Sequence, residues 1–288
     1  MIPPSFDYAV PASVAEAVSL LSANPEAKLL AGGHSLVPLM RFRLAAPALL
    51  IDLNRLSDLA YIKEDGGWLK IGAMTRESAL DRSDLVRTRY PLLHDTTRMV
   101  ADPLVRNLAT LGGNLAHADP ANDHPATMIA YRAQVAAVGP GGERTIPCTE
   151  FFVDLFTTSL AHEEILTEIQ IPAPAAGSGG AYEKLERKVG DFATAAVAAQ
   201  LTITGGKIAS AGIGLTNVGA TPIQASAAEA ALVGQAPEDA VLRQAAALAA
   251  EAAQPTGDQR GSVEYKRSLV KTLALRALRT AVARAQGA

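Results

Sequence analysis

One cysteine, Cys148, stands among the 288 residues of this chain. That scarcity excludes an intrachain disulfide, and it excludes a four-cysteine iron–sulfur cluster or structural zinc site built from this chain alone. Redox work would therefore need an organic cofactor. Positive charge is also not in excess: 26 Lys and Arg against 29 Asp and Glu give a formal net charge of −3. With no basic field and no Lys/Arg-dense stripe, nucleic acid is excluded as an expected partner. No stretch approaches the roughly 20 apolar residues of a membrane span, and MIPPSFDYAV at the start has neither a basic nor an apolar signal region. The expectation is a cytoplasmic protein. What is present is 49% hydrophobic residues, enough for one large or two medium globular domains.

Two paired-glycine runs stand out, AGGHSL at residues 31–36 and ATLGGN at residues 109–114. Paired glycines permit positive φ and remove side chains from the path of a ligand, so successive N–H groups can line an anion-binding concavity. Alone, each also reads as a tight turn between strands. Polar company favours a ligand: His34 and Ser35 follow one pair, and Thr110 and Asn114 flank the other. A dinucleotide's phosphates suit such donors. A Rossmann site needs G-x-G-x-x-G at the opening of a helix, and neither run fits it. Gly212 and Gly214 have the wrong spacing as well and read as sheet packing.

Ser13, with Glu16 three residues on, predicts a capped helix burying Val14, Ala17, Val18 and Leu21, ended by Asn24 and Pro25. Strands are predicted at residues 28–30, 49–52 and 68–72, Thr75 as the cap of a helix over 76–81, and a helix over 90–100 that runs directly into the second glycine run. A hairpin is predicted at residues 134–147 around GPGG, then a strand at 164–171. Residues 172–180, PAPAAGSGG, have linker composition. Beyond them, residues 201–215 read as two strands joined at Gly205 and Gly206, and alanine-rich helices follow through 253 and over 263–286. The second domain reads as α+β.

Other residues carry competing readings. His117, Asp119, Asp123 and His124 have metal-donor chemistry but also suit hydrogen bonding to a cofactor or backbone. His94 and His162 are isolated. Ser35 lacks a nucleophile's G-x-S-x-G context. Cys148 reads as a packing residue. Arg187 and Lys188 suit a solvated face, and Phe192 suits either core packing or stacking.

The residues as a set resemble the FAD-binding medium subunits of molybdenum hydroxylases, the group that includes xanthine dehydrogenase. The likeness spans nearly the whole chain, through FDYAVPASVAEAVSLL, AGGHSLVPLMRFRL, IDLNRL, IGAMTR, VRNLATLGGNLAHADPANDHPA, YEKLERKVGDFATAAVA and EYKRSLVKTLALRAL. Within the family it is nearest to the medium subunits of aerobic carbon monoxide dehydrogenases. The resemblance implies an α+β fold: a PCMH/VAO-type FAD-binding domain over residues 1–176, of two α/β subdomains at about 1–57 and 58–176, then a smaller α+β domain over 177–288. Ala31, Gly32, Gly33, His34, Ser35 and Leu36 match the first FAD loop, and Thr110, Gly112, Gly113 and Asn114 the second. Asp119 and Asp123 match an acidic segment in which the position of Asp123 contacts the cofactor. Ala101, Val105 and Ala109 match small apolar positions beside the flavin, and Lys188, Asp191 and Phe192 a segment approaching its ring.

The implied activity is electron transfer, with no catalytic residue for substrate chemistry in this chain. The implied partners are a molybdenum-containing large subunit, with or without copper, and a small subunit with two [2Fe-2S] clusters, assembled as a dimer of heterotrimers that passes electrons to a quinone or respiratory acceptor. Loose association with the inner face of the cell membrane is part of that expectation. Other readings stay open at this point: service to a hydroxylase acting on xanthine, an N-heteroaromatic compound or an aromatic acyl-CoA, a non-redox assembly module, or a self-sufficient flavin oxidase.

Overall fold

In the computed structural model, which describes residues 2–287, the chain builds three successive sheets. Strands β1 (Asp7–Ala9), β2 (Ala27–Leu30) and β3 (Leu49–Asp52) make a parallel sheet in the order β1-β3-β2, with helices α1 (Val14–Ala23) and α2 (Leu36–Arg41) in the crossovers. The α1 start follows from its sequence. Ser13 Oγ accepts from Glu16 N at 3.1 Å, and the Glu16 carboxylate reaches back to Ala12 N at 2.7 Å. The helix buries Ala17, Val18 and Leu21 against β3 and ends at Asn24, whose N–H bonds to Leu21 O.

Next come β4 (Ile62–Asp65), β5 (Trp68–Gly72), helices α3 (Glu77–Arg82), α4 (Asp84–Arg89), α5 (Pro91–Met99), α6 (Pro103–Arg106), α7 (Leu111–His117) and α8 (His124–Ala130). The hairpin β6 (Gln134–Gly139) and β7 (Gly142–Pro147) follows, then a short helix α9 (Cys148–Phe151), the small ribbon β8 (Phe152–Asp154) and β9 (Thr157–Thr158), and β10 (Ile165–Pro172). The larger strands pair antiparallel in the order β4-β5-β10-β6-β7.

The third sheet is β11 (Ser178–Leu185), β12 (Ala195–Thr204), β13 (Lys207–Thr216) and β14 (Ile223–Gln224), antiparallel in that order. Helices α10 (Ser226–Leu232) and α12 (Val263–Ala285) cover one face, with α11 (Asp239–Ala252) packed on both of them, and α5 and α8 press on the other. Side chains along β12 therefore alternate between two cores. Ala195, Val197, Ala199 and Leu201 pack toward α12, while Ala196 and Ala198 join the core that holds α5 and α8.

Four expectations change. The strand predicted from residue 201 begins at Ala195, because small residues are required where helices close on both faces, whatever their weak strand preference. Ser178, Gly179 and Gly180 belong to β11 rather than to a linker. A Cβ on Gly179 would overlap the α12 backbone at Ala281 and Ala285, and one on Gly180 would stand 2.9 Å from Leu92 Cβ. Thr75 does not cap α3. Its hydroxyl bonds to both the N–H and the carbonyl of Tyr61, and Arg76 takes the cap position. The helix of residues 90–100 also does not run into the second glycine run, since α6 intervenes.

Gly212 and Gly214 are packing residues, as their pattern predicts: a Cβ at either would overlap a carbonyl oxygen of α8, from Ala130 and Ala126 respectively. Gly214→Ala should cost roughly 2–3 kcal/mol in urea unfolding, because backbone must move to admit the methyl group. Gly205→Ala should cost only about 1 kcal/mol, for the added methyl meets open space and only φ +58° is unfavourable.

Candidate functional site

The first glycine run leaves β2 at the end of the parallel sheet and turns into α2. Gly33 takes φ +75°, a region L side chains rarely adopt. The N–H groups of Gly32, Gly33, His34 and Ser35 donate to no other described residue, and the Ser35 hydroxyl makes no cap hydrogen bond. Five donors of one turn are thus left without a partner among the described residues, and Leu36 starts the helix that follows them. His34 is exposed and the other residues of the run are half-buried.

The second run differs from expectation, because it is the first turn of a helix. Thr110 caps α7, its Oγ1 accepting from Gly113 N at 3.1 Å. Leu111 N donates to Thr75 O at 3.1 Å, Gly112 N to Ala73 O at 3.0 Å and Asn114 N to Thr110 O at 3.0 Å. Its amides are spent within the protein, so these glycines give space instead of donors. A Cβ on Gly112 would lie 2.6 Å from Ala73 O, and one on Gly113 would lie 2.8 Å from Thr110 Oγ1 and 3.6 Å from Ala31 Cβ. The side-chain oxygen of Asn114 is buried with no partner, and its carbonyl accepts from Asn122 Nδ2 at 2.8 Å.

The two runs touch. A Cβ on Gly32 would lie 2.7 Å from Ala109 Cα and closer still to Leu108 O. Arg76 stitches the contact: its guanidinium donates to Leu108 O and to Asn54 Oδ1, and Asn54 Nδ2 donates to Ala31 O at 3.0 Å. Glu77 N completes it by donating to Ala109 O at 3.0 Å. Burial draws the Arg76 guanidinium below its ordinary value, against the opposing pull of Asp52. Neither Asn54 nor Arg76 is singled out by sequence reasoning, although each lies in a segment that carries the resemblance, IDLNRL and IGAMTR.

Residues 101–109 form the next edge. Ala101 takes φ +41°, Asp102 caps α6 through Leu104 N and Val105 N, and Ala109 N donates to Val105 O at 2.8 Å. Gly190, φ +83°, lies on the backbone of Ala101 and so brings the segment of Lys188, Asp191 and Phe192 to this edge. Lys188 and Phe192 are exposed. Asp191 is bound by Arg260 and Arg187, and the Arg260 hydrogen bond above all pulls its carboxyl down to about 2.

Of the acidic pair, Asp119 closes its own turn, accepting from Ala121 N at 2.9 Å. Asp123 is buried with both oxygens engaged, one by Tyr182 Oη at 2.7 Å and the other by Lys184 Nζ at 2.9 Å. Burial pushes its carboxyl above the ordinary value, opposed by Lys184 and Tyr182. Lys184, with its side chain 1% exposed, also donates to Met99 O at 3.1 Å. Tyr182 and Lys184, two residues apart, share one face of β11, and neither is singled out by sequence reasoning although both lie in the segment YEKLERKVGDFATAAVA. His124 bonds Glu77 at 2.9 Å, both fully buried, and His117 packs against the Phe156 ring. Among the described residues no three His, Cys, Asp or Glu side chains group to hold a metal. Nor is any helix there long and apolar enough to cross a membrane.

Comparison with known proteins gives two family matches: an FAD binding domain in molybdopterin dehydrogenase over residues 4–174, and a CO dehydrogenase flavoprotein C-terminal domain over residues 180–281. The carbon monoxide dehydrogenase medium chain of Afipia carboxidovorans is 45% identical, covering 99% of this chain and 100% of that one. The glyceraldehyde dehydrogenase medium chain of Sulfolobus acidocaldarius is 34% identical over 97% of this chain and 99% of its own. A solved carbon monoxide dehydrogenase from Hydrogenophaga pseudoflava, lacking the Mo-pyranopterin moiety of its cofactor, superposes with a TM-score of 0.96 at 48% identity over 99% of both chains.

The Lys184→Met variant should lose about 3–5 kcal/mol, since Asp123 would keep a buried charge without its partner. Its carboxyl pKa would then lie further above the unfolded value, so the loss relative to wild type should be smallest in acid and grow as pH rises above about 4 toward the folded-state value. Chemical denaturation at several pH values measures this. Adding Asp123→Asn should recover much of the loss and remove the added pH dependence.

Proposed function

Because this chain belongs to the family of FAD-binding medium subunits of molybdenum hydroxylases, we propose that it serves as the flavoprotein subunit of an aerobic carbon monoxide dehydrogenase. In that role it takes electrons from a small subunit carrying two [2Fe-2S] clusters and delivers them to a quinone or respiratory acceptor. The electrons originate in the molybdenum-containing large subunit, which oxidises CO with water to CO₂, releasing two electrons and two protons. The observation that carries this reading is the 45% identity to the Afipia carboxidovorans medium chain along essentially the full length of both proteins.

When bound, FAD supplies the exchange between single-electron and paired-electron transfer. The residues present fit it. The open amides of residues 32–35 and the Ser35 hydroxyl suit a pyrophosphate, while the buried, unpartnered oxygen of Asn114 suits a cofactor hydroxyl or N–H. Gly112 and Gly113 let α7 sit close to Ala73 and Ala31 and keep the path between the runs open. Ala101, Val105 and Ala109 would flank the flavin with small apolar surface and exclude water from it. Asp123, tied to Tyr182 and Lys184, would act chiefly by fixing the wall of the site. No side chain of this chain is assigned a bond-making or bond-breaking role toward the substrate.

A second reading, service to a different molybdenum hydroxylase, is favoured by the 34% full-length identity to a glyceraldehyde dehydrogenase medium chain. Anaerobic visible spectra of the native complex separate the two. Bleaching of a flavin band near ~450 nm by CO supports the first, bleaching only by an aldehyde or heteroaromatic substrate supports the second, and absence of flavin overturns both.

Gly33→Val should lower FAD affinity at least about 100-fold, because a β-branched side chain cannot hold φ +75° and its Cβ would press on Val37 and Leu30, displacing the turn that carries the open amides. Flavin content of the purified variant, set against wild type, checks this. Gly113→Val should also reduce flavin content, here by displacing the Thr110 cap, and normal flavin in both variants would remove the site assignment.

A further inference from the structure

Residues 187–192, between β11 and β12, have little apolar anchorage: Val189 is 93% exposed and Phe192 48%. Polar contacts fix the segment instead. Arg260 reaches in from the stretch between α11 and α12, with Nη1 donating to Phe192 O at 2.7 Å and Nη2 to Asp191 Oδ1 at 3.1 Å. The other Asp191 oxygen accepts from Arg187 Nε at 3.1 Å. From behind, Glu186 Oε1 accepts from Gly190 N at 3.2 Å, and its second oxygen lies 3.4 Å from Lys184 Nζ. Arg260 is itself held in place. Its N–H donates to Asp258 Oδ1 at 2.8 Å, and the buried Lys266 binds Asp258 Oδ2 at 2.7 Å and Thr256 O at 3.0 Å. A planar guanidinium holds its two acceptors in a fixed fork, whereas an ammonium is a point charge on a flexible stem.

We propose that Arg260 is a positioning residue of the candidate flavin site: it holds the 187–192 segment on Ala101, and with it the exposed Phe192, at the edge formed by residues 101–109. This rests on the flavoprotein reading above for what the segment faces, but the clamp itself is independent of any ligand. A segment with so few buried contacts has a low local opening energy, so its hydrogen bonds set its population.

The test uses the full-length chain as wild type, Arg260→Gln and Arg260→Lys. Trypsin cleavage after Arg187 or Lys188, located by mass spectrometry, reports the segment without needing a cofactor. Visible circular dichroism of bound flavin reports the site. Arg260→Gln should be cut about 10-fold faster, a factor that corresponds to one lost charge-assisted contact, and should show an altered flavin spectrum. Arg260→Lys, which keeps the charge without the fork, should fall between. Unchanged cleavage in Arg260→Gln overturns the clamp, and faster cleavage with an unchanged flavin spectrum overturns the positioning role. If wild type binds no flavin, the functional reading fails while the cleavage result still decides the clamp.

Discussion

Gly32 carries no side chain where the backbone of Leu108 and Ala109 passes, and this approach joins the parallel sheet to the helical segment before α7. Were the two held even a methyl group apart, Arg76 would not span Leu108 and Asn54, and the open amides of the first run would face a wider gap. Backbone contact of this kind is indifferent to side-chain chemistry and intolerant of side-chain volume. The donors of the site come from one run and its clearance from the other.

Local features of the fold were legible because their causes are local. Ser13 and Glu16 announce α1, the GPGG turn announces the β6–β7 hairpin, and apolar runs locate β3 and β5 within the residues predicted. What failed depends on partners remote in sequence. The alanines that open β12 fall outside the strand predicted from residue 201 until α8 and α12 are seen on its two faces, and Gly179 and Gly180 have linker composition until α12 is seen against Gly179 and Leu92 against Gly180. Thr110 was recognisable as a polar neighbour of the glycines, but not as the cap that turns the run into a helix start.

The candidate site follows the same division. Its glycines carry a motif, whereas Arg76, Asn54, Lys184 and Tyr182 act through contacts that no spacing encodes. Buried charge explains why these supporting residues matter. Asp123 and Glu77 lie in the interior, each with a specific partner on a different element, so α8 is tied to β11 through one and to α3 through the other.

The pairing of Asp123 with residues of β11 also bears on how the chain is made. A nascent chain that has reached residue 177 contains the whole helical wall around Asp123 but neither Tyr182 nor Lys184. The carboxylate then waits in water, and the apolar face of α8 waits for β12 and β13. Vectorial synthesis therefore leaves the wall around Asp123 unfinished until β11, β12 and β13, residues 178–216, have been made.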